Sequence, residues 1–335
     1  MNTHEVMDKG WQVQASTLPA ALLSAMASGL DTGALSLSPA HVRNLNAYVA
    51  YARGLPSSPT GIARWTGASA AAADFRKIPV DNSIFASNPE LNNNSMLTFF
   101  SQVKRHASGW EVLFGTNLQL ASALVTAAGS INHSGTVILE VCAQTKALGK
   151  RREAWDALQG GELLPLSAAD QKIVLSLPNQ MSALKAQLRA YAQQVESVRI
   201  QGTRFRDEAR LQLLPAVVRK TKEIGQYLHP TLQTTMGFMG VVARLKSRVE
   251  ELLEELQKMD KLLREVLTAA SHVHSAWQSL TLYIDTSNTQ LQRITTGQQL
   301  ARFAIYFGRF LGLWKTIEDS AKHMVRTLTQ CQRRT

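Results

Sequence analysis

Residues 245–294 read LKSRVEELLEELQKMDKLLREVLTAASHVHSAWQSLTLYIDTSNTQLQRI, and apolar side chains recur there at alternating spacings of four and three. This heptad spacing continues through the whole stretch and predicts one long helix, from about residue 233 to 294, that packs as in a coiled coil. At 1.5 Å per residue the helix is about 90 Å long. One position of the seam, Ser287, is polar, and the apolar stripe is interpreted as core packing. The seam positions are Leu245, Val249, Leu252, Leu256, Met259, Leu263, Val266, Ala270, Val273, Trp277, Leu280, Ile284, Ser287, Leu291 and Ile294.

A helix of this length needs partners of similar length, and the long proline-free stretches supply them. Residues 92–158 predict a second long helix, whose middle, residues 112–139, contains no charged side chain. The small and polar residues there favour a helix surrounded by other helices over a membrane span. A third helix is predicted from about Ser167 to Tyr227, with bends at Pro178 and Pro215, and a capping signal at Ser167 and Asp170 opens it. A last helix is predicted after Thr296 and Gly297.

The predicted fold is therefore all-α, an elongated bundle of very long antiparallel helices with a small hydrophobic head at one end. Residues 1–90, with six of the ten prolines, are predicted to form short helices that pack on the rod. Residues 91–200 and 245–335 supply the rod helices, and residues 201–244 form the head.

Composition excludes several classes of protein. Two cysteines, Cys142 and Cys331, rule out a disulfide-rich scaffold, and no apolar run is long enough for an ordinary transmembrane helix. The sequence contains neither a phosphate-binding loop nor a HExxH zinc motif, and the pair His272 and His274 points to different helix faces. We therefore expect no enzyme, no metal and no cofactor. The first residues do not resemble a signal peptide, so we expect any secretion to occur without one.

One stretch of 20 residues, 224–243, is uncharged and lies between basic clusters, at the predicted turn between two long helices. Apolar side chains at such a tip are expected to be hidden or to meet a nonaqueous surface, and basic neighbours suit lipid headgroups. A small helical head with its own core is the alternative. The predicted membrane-insertion residues are Phe205, Leu211, Leu214, Val217, Val218, Ile224, Tyr227, Leu232, Met236, Phe238, Met239, Val241 and Val242.

Two further groups of residues complete the predicted site. The basic residues expected at lipid headgroups are Arg219, Lys220, Lys222, Arg244 and Lys246. Proline and glycine change the backbone dihedral angles that a chain can adopt, so several of them are expected to act as hinges. These positions are Pro215, Gly225, Pro230, Gly237 and Gly240.

The formal charge of +11 is uneven, and two other functions remain open. Basic surfaces attract nucleic acid, anionic lipid or acidic proteins, but aromatic residues do not alternate with the basic clusters, so we expect no nucleic-acid partner. A nucleic-acid-associated helical protein and an intracellular coiled-coil scaffold, with the seam as an oligomer interface, are kept as alternatives.

The layout of long helices with a hydrophobic segment between the two longest resembles the cytolysin A-like α-helical pore-forming toxins. The stretches Tyr48–Pro56 and Trp277–Ile317 resemble the B component of the binary α-xenorhabdolysin toxins. The resemblance implies a cytolysin component that meets a second, homologous A-type component. It further implies that the two assemble as a ring in the membrane of a target cell, with the head of this chain inserted as amphipathic helices.

Overall fold

The computed structural model describes residues 3–27, 39–66, 88–158, 164–228 and 236–333. All regular secondary structure in these residues is helical. The one β-type pairing among them is an isolated bridge between Pro165 and Thr296. The all-α prediction is thus confirmed. The helices are α1 (Thr3–Ala27), α2 (Pro39–Arg53), α3 (Pro59–Trp65), α4 (Asn93–Ala143), α5 (Trp155–Leu158), α6 (Ala168–Val174), α7 (Leu177–Glu208), α8 (Leu214–Gln226), α9 (Met236–Leu291), α10 (Gly297–Leu311) and α11 (Trp314–Arg333).

The chain forms two compact units, and their boundaries differ from the predicted segments. Unit 1 comprises Met1–Ser38, Thr116–Arg199 and Thr268–Arg334. Unit 2 comprises Pro39–Gly115 and Ile200–Leu267. Helices α4, α7 and α9 contribute residues to both units, because each of these helices continues across a boundary.

The heptad seam lies in the core as predicted, and α9 begins and ends within three residues of the predicted bounds. Thirteen of the 15 seam side chains are buried, and the exceptions, Val266 and Ile294, are half-buried. The polar position has a specific partner, because the Trp11 indole of α1 donates to the Ser287 hydroxyl over 2.8 Å. Ser287 donates in turn to the Tyr283 carbonyl, so its hydroxyl both accepts and donates a hydrogen bond inside the core.

Unit 1 is organised around aromatic rings from α1, α9, α10 and α11. Trp11 stacks on Tyr283 and Phe303, with centroids 5.9 and 6.1 Å apart. The predicted last helix does begin at Gly297, where Thr296 and Gln299 form a capping box. It is, however, interrupted at Gly312 and continues as α11.

The second predicted helix is shorter than expected, because α4 ends at Ala143 instead of continuing to residue 158. The turn that follows is held by a carboxylate distant in sequence. Asp170 accepts hydrogen bonds from the backbone N–H groups of Lys146, at 2.8 Å, and Ala147, at 3.3 Å. Gly149 adopts a positive φ of 67°, which favours glycine.

The third predicted helix is also divided. Ser167 caps α6 by accepting from the Asp170 N–H, as predicted, but the Asp170 side chain serves the α4 turn and does not complete a capping box. A break at residues 175–176 precedes α7, and Pro178 lies in the first turn of that helix, where its missing N–H is tolerated. Residues Ala209–Leu213 form a π-helical turn before α8.

Candidate functional site

The candidate site is the chain from Phe205 to Lys246 in unit 2, which contains the predicted insertion residues. Pro230 and Leu232 lie outside the described residues. Met236, Gly237 and Phe238 belong to the first turn of α9, and only their backbone is described. Of the remaining predicted insertion residues, four are buried and two, Leu211 and Val218, are exposed. The half-buried ones are Leu214, Tyr227, Met239 and Val241.

The buried set faces the core of unit 2. Its members are Phe205, Val217, Ile224 and Val242, the last three fully buried. Phe205 faces inward, whereas Leu211 and Val218 do not. At about 100° per residue, Leu211, Leu214 and Val218 lie on the side of a helix that faces away from Phe205, so helix periodicity accounts for the difference.

Phe205 is held by a buried histidine. The His106 ring stacks on the Phe205 ring with centroids 4.1 Å apart, and its Nε2 donates to the Phe205 carbonyl over 2.8 Å. The other ring nitrogen, Nδ1, lies 2.8 Å from the Tyr48 hydroxyl, which is therefore the donor. Burial lowers the pKa of His106, and this network satisfies both nitrogens of the neutral ring.

The exposed set forms an apolar stripe on one helix face, which we call the exposed stripe: Leu211, Leu214 and Val218. Leu211 is 70% exposed and Val218 is 50% exposed, while Leu214 is half-buried. Their spacings of three and four residues place them on one side of a helix. Arg210 and Lys222, both exposed, lie at its two ends along the chain.

The π turn gives the exposed stripe an unusual backbone. The N–H of Leu214 bonds to the Ala209 carbonyl, five residues earlier, and the next residue, Pro215, has no N–H to donate. A π turn followed at once by proline leaves fewer intrahelical hydrogen bonds than an uninterrupted helix. Residues 209–215 thus lose hydrogen bonds along the helical path from α7 to α8, and the role of Pro215 as a hinge stays a prediction.

The basic residues do not form one solvent-facing group. Lys220 is 2% exposed, and its ammonium donates to the Glu90 carbonyl over 2.6 Å and to the Ser95 hydroxyl over 3.0 Å. It also lies 5.4 Å from the Phe99 ring centroid. Burial lowers the pKa of Lys220, opposed by the Glu90 carboxylate. In this conformation Lys220 is an internal contact and not available to headgroups, because the turn before α4 covers it.

Neighbouring contacts extend this attachment, and together they form what we call the α8 clamp. Arg219 lies 3.5 Å from the Glu90 carboxylate. The Asn88 amide donates to the Tyr227 hydroxyl over 3.2 Å and to Glu223 over 3.4 Å. The middle and the C-terminal end of α8 are therefore held by residues 88–95. Sequence analysis missed these partners because they lie about 130 residues away, although Asn88 in an Asn-Pro-Glu sequence signals a turn.

The remaining basic residues lie on or near α9. The Arg244 guanidinium donates through Nε to the Thr66 carbonyl over 2.7 Å, and Lys246 pairs with Glu250 at 3.6 Å. Lys222 is exposed. Gly225 and Gly240 are half-buried and lie within α8 and α9, so neither has an irregular backbone.

No group of three metal-ligating side chains occurs among the described residues. Cys142 is buried, and burial raises the pKa of its thiol to about 12, which keeps it protonated at neutral pH. Of the helices described, α4 is long and apolar enough to cross a bilayer by length and composition alone, a criterion that core helices also meet.

The helical fold is similar to that of solved structures of other proteins. YaxA from Yersinia enterocolitica superposes with a TM-score of 0.51 and 16% sequence identity, over 88% of this chain and 98% of YaxA. XaxA from Xenorhabdus nematophila gives a TM-score of 0.41 and 15% identity, over 90% of this chain and 99% of XaxA. The XaxAB pore complex from the same organism gives 0.36 and 14%, over 90% and 99%.

The similarity to YaxA shows the fold, and it does not support the predicted B-type assignment. No profile of a known protein family matches the sequence, and no curated protein matches it by sequence.

Proposed function

We propose that the protein is a component of a multi-component α-helical pore-forming toxin of the α-xenorhabdolysin type. The observation that carries the proposal is the fold, which matches YaxA over nearly the full length of both chains. Pore complexes named XaxAB and YaxAB are among the structures with which the chain aligns. The proposal covers either component of such a toxin.

The exposed stripe and the α8 clamp supply a physical mechanism. Apolar side chains at Leu211 and Val218 face water in this conformation, which leaves them ready to meet lipid or a partner. The predicted insertion residues Val217 and Ile224 are buried, so they can meet lipid only after α8 leaves its site. Such a step must release Lys220 from Glu90, and the π turn provides the place where the helix can bend.

The scaffold alternative loses its main support in this fold. The Leu245–Ile294 seam is packed inside the chain, so it does not offer an apolar face to a second copy. The nucleic-acid alternative is supported only by the net charge of +11. Both alternatives predict no leakage from liposomes.

The partner-dependence test measures dye release from liposomes by the purified chain alone and together with its cognate second component. We expect little release by the chain alone and strong release by the pair, because the exposed stripe is short and no described helix presents a complete exposed apolar span. Strong release by the single chain at the same concentration would contradict the multi-component proposal. A hetero-oligomeric ring on the liposomes, seen by electron microscopy, is the expected assembly.

The site test replaces Leu211 and Val218 together by aspartate. Each charge placed deep in a bilayer costs about 2.5 to 3.5 kcal/mol, so leakage by the pair of components should be lost. The matched control is Leu175→Asp with Leu282→Asp, because these side chains are 73% and 65% exposed and lie in unit 1. Circular dichroism should show both variants folded. Full leakage by the Leu211/Val218 variant would remove the exposed stripe from the mechanism.

A further inference from the structure

Unit 1 contains a groove of about 390 Å³ between α4 and α10, with the short helix α5 and the start of α11 at its edge. The space exists because two positions on the α10 side, Gly308 and Gly312, have no side chain. A Cβ atom on Gly308 would lie 3.7 Å from Leu139 Cδ1, so the glycine surface forms part of the floor. The volume is in the range of small-molecule sites in proteins.

The walls of the groove combine an apolar floor with a positive edge. Leu139 and Leu311 are buried and supply hydrocarbon surface. Arg152 and Lys315 supply positive charge, and among the described lining residues there is no carboxylate. The Asn132 amide adds one neutral polar group to the lining. Its side chain forms no hydrogen bond within the described part of the chain, so the amide remains for a ligand. This distribution of charge complements an anion that has an apolar part.

Arg152 is the stronger of the two cationic positions. Its guanidinium lies 5.9 Å from the ring centroid of Trp155, which is 2% exposed and anchored by donation to the Gly149 carbonyl over 3.2 Å. Within the described chain Arg152 forms no ion pair, so its donors remain for a ligand. Lys315, by contrast, already lies 3.4 Å from both Glu318 and Asp319, which neutralise part of its charge.

We propose that this groove binds a small amphipathic anion, with its phosphate or carboxylate on Arg152 and its hydrocarbon on Leu139 and Leu311. The guanidinium fork matches either anionic group with two parallel hydrogen bonds. Lys315 adds longer-range attraction from the opposite side. Such a ligand could come from an anionic lipid or from a free alkyl phosphate or fatty acid, which share this chemistry. The groove lies in unit 1, so the inference does not depend on the proposed pore-forming role of unit 2.

The first experiment titrates the full chain with hexyl phosphate, hexanol and inorganic phosphate by isothermal calorimetry. The proposal expects saturable one-site binding of hexyl phosphate and at least about tenfold weaker binding of the other two probes, because each lacks half of the recognised structure. Equal binding of inorganic phosphate would show a nonspecific basic surface and overturn the proposal. Equal binding of hexanol would show an apolar groove without anion recognition, which also overturns it.

Two variants test whether hexyl phosphate binds in this groove. Arg152→Gln should weaken hexyl phosphate binding roughly tenfold or more, the effect expected when a charge-assisted hydrogen bond is lost. Gly308→Met should weaken it by filling the floor while both cations remain. The matched control is Arg189→Gln, because Arg189 is an exposed cation of unit 1 outside the groove, and it should bind as the wild type does.

Thermal unfolding of each variant separates a lost site from a lost fold. A folded Gly308→Met variant that still binds with wild-type affinity would place the ligand elsewhere and refute the assignment. If Gly308→Met does not fold, Arg152→Gln alone decides the question, because Arg152 is exposed and contributes little to the core.

Vesicles distinguish the source of the anion. Sedimentation of the chain with phosphatidylglycerol vesicles and with phosphatidylcholine vesicles is compared for the wild type and Arg152→Gln. Loss of phosphatidylglycerol binding in Arg152→Gln, but not in Arg189→Gln, identifies a lipid as the source. Unchanged vesicle binding together with weakened hexyl phosphate binding identifies a free amphiphile.

Discussion

At the level of single residues, Gly135 of α4 packs directly against a side chain of α10. A Cβ atom there would lie 2.2 Å from Leu311 Cδ2 and 2.7 Å from Cδ1. Glycine costs a helix about 1 kcal/mol relative to alanine. A larger residue at this position requires the Leu311 side chain to move, because that side chain fills the space beside Gly135.

We predict that Gly135→Ala destabilises the protein by about 1–3 kcal/mol, because overpacking exceeds the gain in helix propensity. The control is Gly129→Ala in the same helix, where the nearest atom, Glu318 Cδ, is 3.8 Å from the added Cβ. That variant should be neutral or slightly stabilising. Chemical denaturation measures both, and an equal effect of the two substitutions would show that Leu311 yields without cost.

His106 makes a second residue-scale prediction, which concerns pH. Its pKa in the folded state is lowered from 6.5 by burial, and the pKa of the buried His41 is lowered for the same first cause. Below pH 6.5 the unfolded chain therefore binds protons that the folded chain does not. By linkage, the free energy of unfolding falls as pH drops from 6.5 towards the folded-state pKa values.

Replacing His106 by glutamine should make the free energy of unfolding fall less steeply as the pH decreases. Stability at pH 7.5 should also be lower, because the stacking on Phe205 is lost. Denaturant unfolding at several pH values between about 5 and 7.5 measures the slope, because this range brackets the ordinary histidine pKa of about 6.5. The control, His323→Gln, changes an exposed ring. An unchanged slope in His106→Gln would assign the acid sensitivity to other groups.

At the level of helices, we attribute the π turn at Ala209–Leu213 to Pro215, and a substitution tests this. Pro215→Ala restores an N–H, and proline inside a helix costs about 3 kcal/mol, so residues 209–218 should be stabilised by about 1–3 kcal/mol. Hydrogen exchange of this segment should then be slower. If α8 must bend at this turn to reach a membrane, leakage by the assembled components should also be slower.

Pro178→Ala is the matched control, because Pro178 lies in the first turn of α7, where the missing N–H has little effect. Its exchange pattern should match that of the wild type. Wild-type exchange rates at residues 209–218 in Pro215→Ala would mean that packing, and not proline, produces the π turn.

The helices also show which parts of the structure the sequence can predict. The α9 bounds and its buried seam follow from periodicity, because a strict heptad repeat over 50 residues fits one conformation. The end of α4 at Ala143 could not be predicted in this way, because it depends on the carboxylate of Asp170, more than 20 residues later. Local signals determine helix type, whereas several helix ends depend on tertiary contacts.

The candidate site was predicted only in part for the same reason. An uncharged segment with basic flanks is visible in the sequence, but burial depends on partners that the sequence does not identify. Lys220 illustrates this, since its pattern suggests a surface cation and its contacts with Glu90 and Ser95 make it internal. The members of the exposed stripe were among the residues predicted from the sequence, whereas the inward orientation of Phe205 was not.

At the level of the whole molecule, the formal charge of +11 and the exposed stripe predict two separable steps on a membrane. Attraction of a basic protein to anionic lipid is screened by salt, with a Debye length of about 10 Å at 0.1 M and about 3 Å at 1 M. Burial of apolar side chains is not screened in this way. Association should therefore depend on salt, and permeabilisation of bound protein on the exposed stripe.

We expect vesicles that contain phosphatidylglycerol to bind the chain with an affinity that falls as salt rises from about 0.1 to 1 M, as Coulomb screening requires. The Leu211→Asp/Val218→Asp variant should keep most of this binding, because the charge falls only from +11 to +9, but should not release dye with the partner component. Sedimentation and dye release on the same samples measure the two steps. Loss of both properties at once in a folded variant would show that the exposed stripe mediates docking itself, and salt-independent binding would show that the net charge plays no part in association.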